Sequence, residues 1–194
     1  MKKVLHYILV LDQSGSMQDI KDLAISSFNE QVDSIRKIQR QTPEIEIRIT
    51  LCTFNDEVKM VSFFERTDHL HKLNYRNYNP RSMTALYDAI GYTYHKATDL
   101  ADKQQKVIMT IFTDGLENAS KDFTAADISR IIEATEKKGW DFRFFCRYEE
   151  RLYHKTKLNI PDHKVMAMYL NDDGFKKMAN EMENTILFFT KQME

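Results

Sequence analysis

Three short segments of this 194-residue chain carry side chains suited to a hard cation. They are Asp12-Gln13-Ser14-Gly15-Ser16-Met17, Arg81-Ser82-Met83-Thr84-Ala85-Leu86 and Thr113-Asp114-Gly115. Asp12 and Asp114 offer carboxylates, while Ser14, Ser16 and Thr84 offer hydroxyls. The serines follow Asp12 at steps of two, so in a turning loop their hydroxyls face one point. Gly15 between them permits a tight backbone path. An all-oxygen set without imidazole or thiolate suits magnesium, manganese or calcium rather than zinc or copper. Magnesium is octahedral and keeps waters, so five protein oxygens, some acting through water, leave a position for an outside ligand. Each segment also has a plainer reading. Thr84 before Ala85 makes a good helix N-cap. Asp114-Gly115 is an ordinary turn pair. Ser14 and Ser16 serve equally well as turn or cap residues. What favours a metal site is the combination, at three equivalent places in one alternating pattern.

That pattern supplies the elements that position them. Val4 to Leu11 is a nearly continuous apolar run, as in a strand covered on both faces, and it ends at Asp12. Ile20, Ala24, Phe28, Val32 and Ile35 have helical spacing up to about Gln41, and Pro43 closes that helix. Ile45, Ile47, Ile49 and Leu51 alternate with polar residues as a strand. Asn55-Asp56 signals a turn, and Val58 to Phe63 is the expected return arm, making one edge strand antiparallel. Residues 65–83 are polar and irregular, and a loop this long in a compact domain is disproportionately often functional. A helix is expected from Ala85 to about Asp102, a strand over Val107 to Phe112, and a helix from Thr124 to Lys138 stopped by Gly139. Then follow a strand over Phe142 to Cys146, a short helix near Glu149 to Lys157, a strand over Val165 to Tyr169 and a final helix through Phe189. Strands alternating with helices predict an α/β fold: a Rossmann-like, doubly wound, mostly parallel six-stranded sheet with helices on both faces. Ligands of such sheets bind at the carboxyl ends of strands near the switch point. Asp12 and Asp114 directly follow two of those ends.

Composition narrows the function. With 28 basic and 29 acidic side chains the formal charge is -1, so no net field draws the chain to nucleic acid or an anionic membrane. Lys2 and Lys3 before the first apolar run resemble the start of a signal peptide, but the run is short, Asp12 ends it and no small-residue cleavage site follows. No stretch reaches the ~18 apolar residues of a membrane span. Cys52 and Cys146 sit in strand-like runs and read as small buried hydrophobes of a reducing compartment. The expected location is cytoplasmic. No Pro-rich or Gly/Ser-rich linker divides the chain, so residues 1–194 are expected to form a single domain. His69 and His71 in the long loop are expected to be solvated. No His-Glu-x-x-His and no Gly-rich phosphate or dinucleotide loop is present.

Taken together, the sequence resembles a von Willebrand factor type A domain, and is similar to the small bacterial stand-alone members of that family, over roughly Val4 to Phe189. Asp12, Ser14 and Ser16 match the Asp-x-Ser-x-Ser of the family's metal-ion-dependent adhesion site, Thr84 its threonine and Asp114 its second aspartate. The resemblance implies magnesium or manganese, with calcium less favoured, and recognition of a partner protein through the metal. Two departures stand out. Small bacterial members often carry Gly-Ser before the threonine, where this chain has Ser82-Met83. They often carry a Gly-Ala-Asn type run after the fifth strand, where this chain has Cys146-Arg147-Tyr148-Glu149-Glu150.

The leading expectation is a non-enzymatic, metal-dependent protein-binding module, with a Glu or Asp of the partner completing the coordination. Gln13, Ser82, Met83, Glu117 and Arg147 are expected at the rim. The chief alternative is a metal-dependent phosphohydrolase. Such enzymes usually place a second carboxylate two residues after the first, where this chain has Ser14. A serine hydrolase fits poorly because no serine is visibly paired with a histidine base. An assembly subunit with a purely structural metal is the third reading.

Overall fold

A computed structural model describes residues 3–100 and 105–193. The helix expected to run to about Asp102 ends at Thr98, with Asp99 as its C-cap, while Asp102 itself and Lys2 lie outside the described residues. Strands β1 (Lys3–Asp12), β2 (Ile45–Phe54), β3 (Val58–Arg66), β4 (Gln105–Phe112), β5 (Asp141–Arg147) and β6 (Val165–Met168) form one sheet in the order β3-β2-β1-β4-β5-β6. Every neighbouring pair is parallel except β2 with β3, which is antiparallel. The expected mixed sheet with an antiparallel edge strand is therefore the observed one. The hairpin arm runs three residues past Phe63, through a register shift opposite Ile49–Cys52 and a left-handed Phe64 at φ 54°.

The sheet carries helices on both faces because β1 is apolar in both phases of its alternation. Leu5, Tyr7, Leu9 and Leu11 face α1 (Lys21–Gln41) and α5 (Asp172–Met193), meeting Phe28, Val32, Ile35, Phe175, Met178 and Met182. Ile8 and Val10 face the other way, toward α2 (Leu86–Thr98) and α3 (Ala125–Lys137), meeting Leu86, Ile90, Ile128 and Ile132. Fully burying each large aliphatic or aromatic side chain contributes roughly 1.5–3 kcal/mol. α3 begins with a reciprocal capping box between Thr124 and Asp127. The short helix after β5 is a 3-10 turn, Tyr148–Glu150, followed by α4 (Arg151–Lys157).

This order fixes where a ligand can enter. From β1 the chain winds outward through β2 to β3. It then crosses back to β4 on the other side of β1 and winds outward through β5 to β6. The connections leaving β1 and β4 diverge, which opens a crevice at their carboxyl ends. Asp12 is the last residue of β1, and Thr113-Asp114 follows the last residue of β4.

Candidate metal centre

The five residues singled out in sequence converge at that crevice. Past Asp12 the chain enters a 3-10 turn, Gly15–Ile20, so Ser14 and Ser16 fold back over the strand end. The Ser14 backbone N–H donates to Asp12 Oδ1 at 2.7 Å. Ser14 Oγ and Ser16 Oγ lie 3.1 Å apart, and Ser16 Oγ donates to Asp114 Oδ1 at 2.5 Å. A Cβ placed on Gly115 would stand 3.4 Å from Ser16 Oγ and 3.9 Å from Thr84 Oγ1. The missing side chain at Gly115 therefore leaves a small space bordered by those two hydroxyls.

Of the plainer readings, the turn readings hold, since Ser14 and Ser16 lie at a 3-10 turn and Asp114-Gly115 in a bend, while the capping readings do not. The residue flanking α2 is Ala85 rather than Thr84, and no side chain caps that helix. Ser14 stands at the cap of its 3-10 turn, but its hydroxyl is not used as a cap. Gly115 does not adopt the positive φ of many turn glycines.

Several positioning residues were not visible in the pattern. Thr113 Oγ1 donates to Asp12 Oδ2 at 2.6 Å. Tyr78, fully buried, donates its hydroxyl to the Asp12 carbonyl at 2.6 Å. The long irregular loop thus delivers a tyrosine beneath the site and, at its end, Ser82, whose carbonyl accepts the Gly15 N–H at 3.0 Å. Asn118 holds Thr84 from both sides: its Oδ1 accepts the Thr84 N–H at 2.8 Å, and its own N–H donates to the Thr84 carbonyl at 3.0 Å. A polar residue three positions past an Asp-Gly pair was the only signal for Asn118, and it is a weak one.

The rim differs from expectation at one position. Glu117 does not face outward. Its carboxylate accepts the backbone N–H groups of Ala119, Ser120 and Tyr87 and the Ser120 hydroxyl, fastening the loop after β4 to the start of α2. Ser82 and Met83 are exposed, and Gln13 is half-buried. Arg147 reaches over the site from the end of β5, with Nη2 3.6 Å from Asp114 Oδ2. His69 and His71 are exposed, as expected.

The electrostatics describe a site short of positive charge. Burial pushes Asp12 up to about 7, against the pull of the Thr113 hydroxyl and the Ser14 N–H, and the neighbouring Asp114 raises it further. Asp114 is also raised, chiefly by burial and partly by Glu150, with Ser16 and Arg147 opposing. Asp114 Oδ2 is buried without a hydrogen-bond donor. A buried carboxylate oxygen without a donor is costly unless a cation satisfies it. Two carboxylates and three hydroxyls at one point match the oxygen preference of a hard divalent ion. Among the described residues no three His, Cys, Asp or Glu side chains cluster to hold a metal. An ion here therefore depends on the hydroxyls as well as on the acids.

An α/β sheet with an oxygen-lined crevice at the β1/β4 switch point is a Rossmann-like, doubly wound arrangement. Comparison with known proteins narrows this. The family model of the von Willebrand factor type A domain matches residues 7–117, more than half of the chain, and the chain belongs to that family. The PilB minor pilin from Streptococcus sanguinis is similar in fold, with a TM-score of 0.70 at 12% identity over 100% of this chain and 63% of that chain. Proximal thread matrix protein 1 from the mussel byssus, solved with a zinc-occupied MIDAS motif, gives 0.63 at 11% identity over 95% of this chain and 46% of that one. This chain thus spans less than two thirds of either structure. No curated protein matches it by sequence.

Proposed function

We propose that the protein is a non-enzymatic binding module that recognises an acidic residue of a partner protein through a divalent ion, Mg2+ or Mn2+, held by Asp12, Ser14, Ser16, Thr84 and Asp114. The observation that carries this is Asp114 Oδ2, buried and without a donor beside hydroxyls that already converge. When bound, the ion supplies Lewis acidity and two positive charges. The chain's own residues hold it and shape its surroundings. Asp12 and Asp114 supply the only two carboxylates, so the bound ion is at most neutralised and accepts a further anionic oxygen. Tyr78, Thr113 and Asn118 keep the ligands aimed. A hydrolytic role has no such support: the cationic side chain paired with the site's acids is Arg147, a poor proton acceptor. Placement of residues 1–194 as one module in a reducing, cytoplasmic compartment belongs to the same proposal. It rests on the shared sheet and on Cys52 and Cys146, both buried and unpaired.

The test is a titration with Mn2+ followed by electron paramagnetic resonance. One bound ion per chain is expected in the wild type and none in Asp12→Ala. Capture of a protein from the source lysate should need Mg2+ and fail in Ser14→Ala and Thr84→Ala, with the fold intact by circular dichroism. Equal Mn2+ binding by wild type and Asp12→Ala overturns the metal assignment. Capture undiminished in EDTA overturns the metal bridge.

A further inference from the structure

Six of the exposed large apolar side chains lie on segments that border the candidate metal centre or follow the same ends of the sheet. They are Met83, Leu116, Tyr148, Leu152, Tyr153 and Tyr169. Met83 precedes Thr84, Leu116 stands two residues after Asp114, and Tyr148 follows Arg147 directly. Arg147 pairs with Met168 as the last rung between β5 and β6, so Tyr148 and Tyr169 are the next residues beyond that ladder. Their rings stack with centroids 5.4 Å apart at 13°, though both residues remain more than half exposed. The tyrosines elsewhere on the surface are differently engaged, since Tyr75 and Tyr92 give their hydroxyls to Asp22 and Asp122. Exposed apolar side chains gathered at one end of a sheet mark an interaction site, and tyrosines are favoured there because a large rigid ring is ordered at small entropic cost.

Charge says what covers this surface. A divalent ion balances Asp12 and Asp114, and Arg147, 41% exposed above Asp114, offsets the nearby Glu150, so the positive groups that face outward at the centre are the ion and Arg147. Glu150 is turned inward, its carboxylate 3.7 Å from the buried His154. Glu149 stays exposed beside Tyr148 and repels an acid placed over the rings. An acidic side chain is therefore directed to the ion, and an apolar one to the tyrosines.

Building on the metal-dependent reading above, we propose that the partner presents an Asp or Glu flanked by an aromatic or bulky aliphatic residue, which seats on the Tyr148–Tyr169 stack while the acid meets the metal beside Arg147. The tyrosine pair then sets which acidic segments are accepted, and the ion sets that they are acidic.

A displayed library of random peptides, bound to the full chain in Mg2+ and eluted with EDTA, tests this without knowledge of the partner. The eluted peptides are expected to pair an Asp or Glu with a nearby Phe, Tyr, Trp, Leu or Met. Their affinity is expected to fall about tenfold or more in Tyr148→Ala/Tyr169→Ala, the loss typical of a buried aromatic anchor. That variant should keep the Mn2+ affinity of the wild type. Acidic peptides without an apolar neighbour, or peptides bound equally by the variant, overturn the tyrosine platform and leave the metal reading standing. The absence of any EDTA-eluted peptide overturns both. Wild-type self-association in sedimentation that the double variant abolishes overturns the proposal in favour of a second copy of this chain on the platform.

Discussion

Two pairs of acids, three of them buried and Glu117 half-buried, sit within one loop's length of each other and are satisfied in opposite ways. Asp88, on the first turn of α2, accepts the backbone N–H groups of Lys121, Asp122 and Phe123. Glu117 accepts three more N–H groups and a hydroxyl. Both are turned into their own backbone. Asp12 receives one N–H and one hydroxyl, and Asp114 one hydroxyl on Oδ1, while its Oδ2 has no hydrogen bond and only an arginine 3.6 Å away. Burial alone does not separate a structural acid from a ligand, because Asp88 and Asp114 are both nearly inaccessible. The count of donors does. An acid whose lone pairs are filled by amides fixes a loop, and an acid left with vacant lone pairs is prepared for a cation.

The largest expected effect breaks the structural pair. Asp88→Ala leaves three amides without their acceptor, at about 1–3 kcal/mol for each that water does not reach. A loss of roughly 3 kcal/mol or more is expected, and it should be the same in EDTA and in Mg2+. In a domain of this size that lowers Tm by about 6–12 °C, read in thermal melts. A loss that Mg2+ repairs would place Asp88 in the metal centre.

The next effect belongs to the other pair. An ion that binds only the folded state stabilises it by about 2.7 kcal/mol at one hundred times Kd. The wild type should therefore melt about 5–10 °C higher in saturating Mg2+ or Mn2+ than in EDTA. Asp12→Ala and Asp114→Asn should show no such rise. Asp114→Asn should also match or exceed the wild type in EDTA, since it removes a buried charge whose Oδ2 has no hydrogen-bond donor. Identical wild-type curves with and without metal would sink the comparison.

A graded effect follows with pH in the metal-free protein. Asp12 titrates at about 7 when folded, above its ordinary value of 3.8. The folded state thus binds a proton that the unfolded state has already released. That contribution is fully present below about pH 4 and is lost as pH rises through 7, by at most about 1.4 kcal/mol per pH unit for one carboxylate. In EDTA, Tm should fall between pH 5 and pH 8 in the wild type and stay flatter in Asp12→Asn. Saturating Mg2+ should remove the slope, because the ion prefers the ionised acid. Parallel profiles for wild type and Asp12→Asn in EDTA would show that another group titrates.

The sheet and its five candidate ligands were legible because each depends on local spacing. The double-faced apolar run of β1 forces a central strand, and Asp-x-Ser-x-Ser at its end needs no distant partner to be noticed. Tyr78, Thr113 and Asn118 were not legible, since their roles exist only when segments tens of residues apart meet. Glu117 shows the limit most clearly. An acid near the site reads as rim until the loop after β4 closes and turns its carboxylate inward. Likewise Tyr148 and Tyr169 have no shared signal in sequence. Only the parallel register of β5 and β6 makes them neighbours.

The smallest expected effect concerns the loop that lies against the serines. Ser82 adopts φ 66°, in the left-handed region that costs a residue with a Cβ roughly 1–2 kcal/mol and costs glycine almost nothing. It is the first of the two residues, Ser82-Met83, that stand where the resemblance noted in the sequence predicts Gly-Ser. Its carbonyl holds Gly15, and a Cβ on Gly15 would stand 3.2 Å from that same oxygen, so the two backbones cannot separate without opening the site. Ser82→Gly relieves the conformational cost but gives the unfolded chain about 0.5–1 kcal/mol of extra freedom. It also removes the hydroxyl that bonds the exposed Asp56. The balance is a stabilisation of about 0.5 kcal/mol, or roughly 1–2 °C in Tm, with Mn2+ affinity unchanged. A destabilised Ser82→Gly variant with weakened Mn2+ binding would mean that the Ser82 hydroxyl, through Asp56, holds the loop over Ser14 and Ser16. The departure at this position would then be a positioning device rather than a tolerated strain.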